Sequence, residues 1–352
     1  KDANMDMLTP RQNILNVLNH QEPAWTPNWI TDVAITGFGA LPGPAFEKGE
    51  LGGGYDGFGV RWVAPASGGG APIPAPGEFL MHFDQIENWR DYIHFPDLDA
   101  FDWEGFAAHE LAGMDGQGID RNRVLVDFGS GNGPYERLAS FMGFEDACLA
   151  IALEPEVTKE LIEAIVDWKI EQLPYIVKYL NPDTYTSYDD VCTQKGPFMS
   201  PDAYRTLIKP GTKRLFDAVK EAGMMPIQHT CGFAEPFVED FIDMGAVAWT
   251  SVQTCNDIDG LLSKYGDRFT FIGGWDTNGK GAMADATDEE IAAAVCHDLD
   301  MFGGRKGFIL FAYRLANSLD PMVSLHENMR VNGPAIAHIF EMAGIPLPPM
   351  GA

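Results

Sequence analysis

The sequence predicts an α/β fold, a (β/α)8 TIM barrel with an N-terminal helical extension, and three observations lead there. From about residue 185 onward, short β-rich runs alternate with helical periods, as in successive βα units of a parallel barrel. The tails of those runs are rich in polar side chains, and the strand ends are where such a barrel gathers its chemistry. The chain has 352 residues, a length that barrels of this kind reach around one core. The expectation is one domain over 1–352, with helix in 1–24 and a Gly/Pro-rich excursion over 37–79 near the barrel mouth.

Taken in order, strands are expected near 25–32, 123–128, 184–189, 225–229, 246–252, 269–274 and 307–312, and 58–63 supplies the eighth. Helices are expected over 134–153, 155–180, 201–222, 234–244, 258–265, 288–302 and 324–343. Ser200 before Pro201, and Thr287 three residues before Glu290, are helix-start signatures, the second that of a capping box. The excursion includes Gly52-Gly53-Gly54 and a Gly/Pro run at 67–74, which no regular helix accepts. Its aromatic residues Tyr55, Phe58 and Trp62 suggest an ordered lid-like segment. It lacks the lysine and helix start of a phosphate-binding loop.

Composition narrows the partners. With 24 basic against 51 acidic side chains the net charge is -27, which repels a phosphate backbone, so nucleic acid is excluded. No apolar run is long enough to span a bilayer, so no membrane segment is expected. Residues 1–10 lack the cationic start and apolar run of a secretory signal, and the five cysteines are scattered, as suits free thiols or ligands; a cytoplasmic location is expected. Self-association is left open.

The polar strand tails read Asn28 and Asp32; Asp127; Asp189 and Asp190; His229 and Cys231; Gln253, Cys255 and Asn256; Trp275 and Asp276; Tyr313 and Arg314. His229 and Cys231 are two apart, so a strand turns both to one face. Imidazole and thiolate suit zinc, but two ligands do not complete a site, and a hydrogen-bonded histidine beside an inert cysteine has the same spelling. Asp189-Asp190 offers a proton donor and acceptor if their surroundings separate the pKa values, or a loop cap if not. Asp276 and Arg314 suit either a rim ion pair or substrate contact. Among the aromatics, Trp249 reads as core, while Trp29, Trp275 and Tyr313 are candidates for the wall of an apolar cavity.

Tyr188-Asp189-Asp190, Gln194-Lys195-Gly196, Ser200-Pro201, His229-Thr230-Cys231-Gly232 and 271–276 (FIGGWD) together resemble the uroporphyrinogen decarboxylase superfamily over about 184–343, and 9–19 resembles its opening helix. The arginine-rich glycine motif of the decarboxylase itself is replaced here by 27–34 (PNWITDVA). The Asn28 segment, 56–62, 253–258 and 274–276 are more similar to corrinoid-dependent methyltransferases that demethylate methoxylated aromatics.

That resemblance implies methyl transfer from an aryl methyl ether to the cobalt(I) of a separate corrinoid (cobalamin) protein, with zinc as Lewis acid on the ether oxygen. Asp189, Asp190, His229 and Tyr313 are the expected catalytic residues. Asn28, Trp29, Asp32, Gln253, Asn256, Trp275, Asp276 and Arg314 are the expected substrate-binding ones. Thiol-methylating relatives use HxC and a later cysteine, yet Tyr313-Arg314 stands at that late position, so a third ligand falls to Asp190, Glu235 or Cys255. Without metal, the proton falls to Asp189, Asp190 or Tyr313. Competing readings are a cofactor-independent decarboxylase of a non-porphyrin acid and a non-catalytic ligand-binding barrel.

Overall fold

The computed structural model describes residues 8–37, 54–63, 72–316 and 321–347. Its centre is a seven-stranded sheet of β1 (Val33–Thr36), β2 (Leu125–Ser130), β3 (Thr184–Tyr188), β4 (Met225–His229), β5 (Ala248–Val252), β6 (Thr270–Gly274) and β7 (Phe308–Phe311), in that spatial order. Every neighbouring pair is parallel. The two edges meet consecutive stretches of chain: Trp29 N–H donates to Leu310 O at 2.7 Å and Leu310 N–H to Pro27 O at 2.9 Å, just before β1 pairs with β2. The sheet is therefore strongly curled.

Two expectations are corrected here. The strand expected at 25–32 lies further on, at Val33–Thr36, because 27–29 joins β7 while a turn held by Asp32 separates the two stretches. The expected eighth strand at 58–63 does not enter the curled sheet. Arg61–Val63 instead forms the middle of a small antiparallel sheet with Gly54–Tyr55 and Ile73–Pro74. Its alternation serves a local turn. The Asp56 carboxylate accepts from Phe58 N–H, Val60 N–H, Trp62 Nε1 and Arg137, with the Arg137–Asp56 pair at 2.6 Å and buried. Residues 38–53 and 64–71 lie outside the described residues, and with them most of the expected lid.

Helix α1 (Pro10–Leu18) opens with a Thr9–Gln12 capping box and turns Ile14 and Val17 toward the sheet's inner face. There they pack with Trp29, Leu125, Ile227, Ala248, Ile272 and Ile309. Truncating Ile227 to alanine would cost about 2–5 kcal/mol. The remaining helices cover the outer face. The expected helix 134–153 is two, α2 (Pro134–Met142) and α3 (Phe144–Leu153), broken at Gly143. Gly143 has φ +83°, and a Cβ there would meet the Phe79 ring at 2.7 Å. The 201–221 run starts at the Ser200 cap and passes through a π-helical turn at Tyr204–Ile208, next to Pro210, which lacks an N–H. No helix among the described residues is long and apolar enough to cross a membrane.

Candidate active site

Where β3, β4 and β5 end, the pairing continues one step beyond the strands. Asp189 N–H donates to His229 O at 3.1 Å, Thr230 N–H to Thr250 O at 2.8 Å, and Val191 N–H to the Thr230 hydroxyl at 3.0 Å. Gly232 follows with φ +82°, and a Cβ there would meet Thr193 O at 2.5 Å, so the HTCG turn requires glycine. These contacts fix two adjacent strand ends and bring three donors together. His229 Nε2 lies 3.6 Å from Cys231 Sγ and 3.8 Å from the Asp190 carboxylate, whose oxygen also accepts the Cys231 N–H at 2.6 Å. All three ligand atoms fall within 4.8 Å of one another.

The histidine is buried against Tyr188, with ring centroids 4.3 Å apart and the planes tilted by 33°; its Nδ1 has no hydrogen-bond partner. Burial lowers its pKa and so favours the neutral imidazole, and the Asp190 carboxylate acts against this by raising it. Burial, with Asp190 and Glu136 beside it, pushes the Cys231 thiol well up, so a thiolate at this place needs a cation. Tyr313, following β7, borders the same space; burial and the charges of Cys231 and Asp190 push its hydroxyl up to about 12 while Ser251 hydrogen-bonds to it. Ser251 sits in a register shift of β5 against β6, accommodated by Gly273, where a Cβ would meet Val252 O at 2.2 Å.

Asp189 and Asp190 are adjacent but have separate surroundings. Asp189 is buried, and its carboxylate accepts the Glu136 N–H at 2.9 Å. It thereby caps α2, whose own N-cap is Gly133; a Cβ on that glycine would meet Asp189 at 2.3 Å. Burial pushes its pKa up to about 7, against the backbone hydrogen bond and Lys169. Asp190 alone of the pair joins the donor cluster. Strand tails alone do not point to Glu136, in the first turn of the helix after β2, or to Lys169, in the middle of the helix Pro155–Tyr179. Glu136 is half-buried, its carboxyl accepting the Asp190 N–H, and burial with Asp190 and Asp189 raises its pKa well above the usual range. Lys169 is buried, donates to Ser130 Oγ at 2.9 Å and Gly131 O at 3.2 Å, and is pushed down to about 7 by burial.

Most expected substrate-binding residues are held by internal contacts. Asn28 donates to Asn332 at 2.9 Å and accepts the Ile30 N–H, and Asp32 accepts the Asn28 N–H. Gln253 Oε1 accepts from Gln194 and from Gly232 N–H, and Asn256 bridges Gly232 O, Gln253 O and Glu235 N–H. Asp276 accepts from Thr254 and Asn278 N–H. Arg314 is buried against Glu327 at 2.9 Å and the carbonyls of Gly281 and Met283. Trp29 is packed with Ile14 and Val17 of α1, and Trp275 is buried in the sheet–helix layer against Gly281, so neither ring lies among the three donors. Of the alternative third ligands, Glu235 accepts the Asp257 N–H and Cys255 lies against Asn256.

The donor set fits a metal of zinc's kind. Bonds of about 2.0–2.3 Å in a tetrahedron separate ligand atoms by roughly 3.3–3.7 Å, and the separations of 3.6 and 3.8 Å are close to that before any ion draws them in. One nitrogen, one sulfur and one oxygen leave the fourth position open, as in catalytic zinc sites. His229, Cys231 and Asp190 would hold it, and the unpartnered Nδ1 is the atom that a bridging water would satisfy.

A search of curated proteins returns no match. Among solved structures the chain is similar to a methyltransferase from Methanosarcina mazei at 15% identity and TM-score 0.65, covering 96% of this chain and 99% of that one. That likeness is one of fold. The family profile described as Uroporphyrinogen decarboxylase (URO-D) matches residues 126–312, more than half of the chain and the stretch that carries β2 to β7 with the whole donor cluster. The chain belongs to the uroporphyrinogen decarboxylase (URO-D) family.

Proposed function

We propose that this protein is a methyltransferase that moves the methyl group of a methoxylated aromatic to the cobalt(I) of a partner corrinoid protein. The observation that carries the reading is the N, S, O cluster of His229, Cys231 and Asp190 beside Tyr313, at the strand ends of a fold shared with a methyltransferase. A porphyrinogen decarboxylase needs cations to anchor its substrate's carboxylates, and the cluster is bordered by carboxyls and tyrosines instead. Those are groups suited to an ether.

An aryl ether releases its methyl group only if the oxygen is stabilised as it leaves. A zinc ion held by the three donors would supply Lewis acidity to that oxygen. The protein's own share is positional. Tyr313, kept protonated by burial, donates a hydrogen bond to the ether oxygen, and Ser251 orients its hydroxyl. Tyr188 presents an aromatic face beside His229. Purified protein, supplied with zinc, a cobalt(I) corrinoid protein and a guaiacol-type ether, should give the methylcobalt absorption spectrum. No such spectrum across a broad panel of methoxy compounds, with carbon dioxide released from an acid instead, would replace this reading by the decarboxylase.

A further inference from the structure

Resting on the metal fit of the donor cluster, we infer that Thr230, which supplies no ligand atom, is a positioning residue of the site: its hydroxyl replaces a rung of the ladder between β3 and β4 and so holds Asp190 at ligand distance from His229 and Cys231. The register of the two strands runs to Tyr188 opposite His229, and the rung that follows is Asp189 N–H on His229 O. Continued regularly, a parallel ladder would next set Cys231 N–H on Asp189 O and Val191 N–H on Cys231 O. Side chains take both places. Cys231 N–H donates to the Asp190 carboxylate at 2.6 Å, and Val191 N–H donates to the Thr230 hydroxyl at 3.0 Å. The hydroxyl's own proton is directed at Cys231 O, 3.5 Å away, so its oxygen stands between the two groups that would otherwise pair.

An interposed hydroxyl keeps the two chains apart by the width of an oxygen, and the ligand residues flank that gap. Asp190 precedes Val191 on one side, and His229 and Cys231 stand either side of Thr230 on the other. Full pairing would draw Val191 onto Cys231 and take the Cys231 N–H away from Asp190. Thr230 can act as a spacer because it is itself fixed. It is fully buried, its N–H donates to Thr250 O at 2.8 Å, and its carbonyl accepts the Trp249 indole N–H at 2.9 Å, so β5 grips it from the far side. Val191 is buried as well, and without the hydroxyl its N–H would be left unpaired or drawn to another acceptor. Either outcome moves the residue next to Asp190. The 3.8 Å between Asp190 and His229 Nε2 is near the span of a tetrahedral site, and metal–ligand bonds tolerate errors of only about 0.2 Å.

The test reads the zinc dissociation constant of the full chain by competition with a chromophoric chelator, with the thermal midpoint of each metal-free protein alongside. The parent should bind zinc stoichiometrically. Thr230→Val, which keeps the shape and loses the hydroxyl, should bind it about 10- to 100-fold more weakly, the range expected when a group that orients a metal ligand is removed. Thr230→Ser should restore the parent's constant. Thr186→Val is the control: it removes another buried hydroxyl, one that donates to Asp127 from within β3, and should lower the midpoint without moving the zinc constant. If Thr230→Val does not fold, Thr230→Ala and Thr230→Ser give the same comparison, since both lack the methyl group and only the serine keeps the acceptor. No zinc in the parent, an unchanged constant in Thr230→Val, a weakening that serine does not restore, or an equal weakening in Thr186→Val would overturn the inference. The expected pattern without methylcobalt formation would sink the methyl-transfer reading and leave the role of Thr230 standing.

Discussion

The two halves of the rim above the curled sheet use similar residues to opposite ends. At β6 and β7 the polar tail residues Asp276 and Arg314 are tied to Thr254, Asn278, Glu327 and two carbonyls, and the arginine is buried. At β3 and β4 the loop contacts are made by backbone and by Thr230 and Asp189, which leaves Asp190, His229 and Cys231 facing one another. The difference lies in which neighbour supplies the loop's hydrogen bonds. Where a tail side chain has to cap a turn it is lost to chemistry; where a threonine and an outward-facing aspartate do so, the tail residues remain available.

Substitution can break this contrast. His229→Ala or Asp190→Asn should abolish stoichiometric zinc binding and lower kcat/KM by about 10³-fold, with thermal unfolding little changed; metal retained in both variants, measured by elemental analysis, would remove the cluster from the mechanism. Arg314→Ala should do the reverse, costing about 3 kcal/mol in chemical denaturation because Glu327 and two carbonyls lose their partner, while metal content holds.

Beneath both halves, Asp127 is buried inside the sheet. One oxygen is held by Thr184 at 2.6 Å and Thr186 at 2.8 Å, and burial pushes its pKa up to about 7. As pH rises toward 7 the unfolded chain releases this proton while the folded chain retains it. The parent therefore loses stability over that window and levels off above it. Asp127→Asn should be free of the loss, so the variant's advantage should grow by roughly 3 kcal/mol from pH 4 to pH 7; a constant difference in denaturation midpoint across that range would refute the assignment. Asp276→Ala should have the smallest effect, under about 1 kcal/mol with metal retained; a zinc loss there would erase the contrast between the halves.

Much of this was legible in the residues. The period-two runs located β3 to β7 to within a residue or two, and the Ser200 and Thr287 caps start helices as their spelling implies. The HxC spacing placed His229 and Cys231 on one face because strand side chains alternate. The first strand was misplaced because 27–29 and Val33–Thr36 pair with opposite edges of the sheet, a relation between distant segments that no local pattern carries. The segment at 58–63, expected as the eighth strand, is a strand only at Arg61–Val63, within the small antiparallel sheet. The residues before it form a turn wrapped around Asp56, whose partner Arg137 is remote in sequence.

By itself the sequence determined the alternation of strands and helices, the excess of negative charge and the set of polar tails at the strand ends, because each of these depends on neighbours a few residues apart. Only the tertiary structure decided which tail residues converge. Asp190 faces His229 while Asp189 turns to cap a helix, Trp29 and Trp275 are consumed by packing, and Glu136 arrives from a helix behind a neighbouring strand. Those outcomes depend on contacts between separate βα units, and a contact between units has no signature in either one alone.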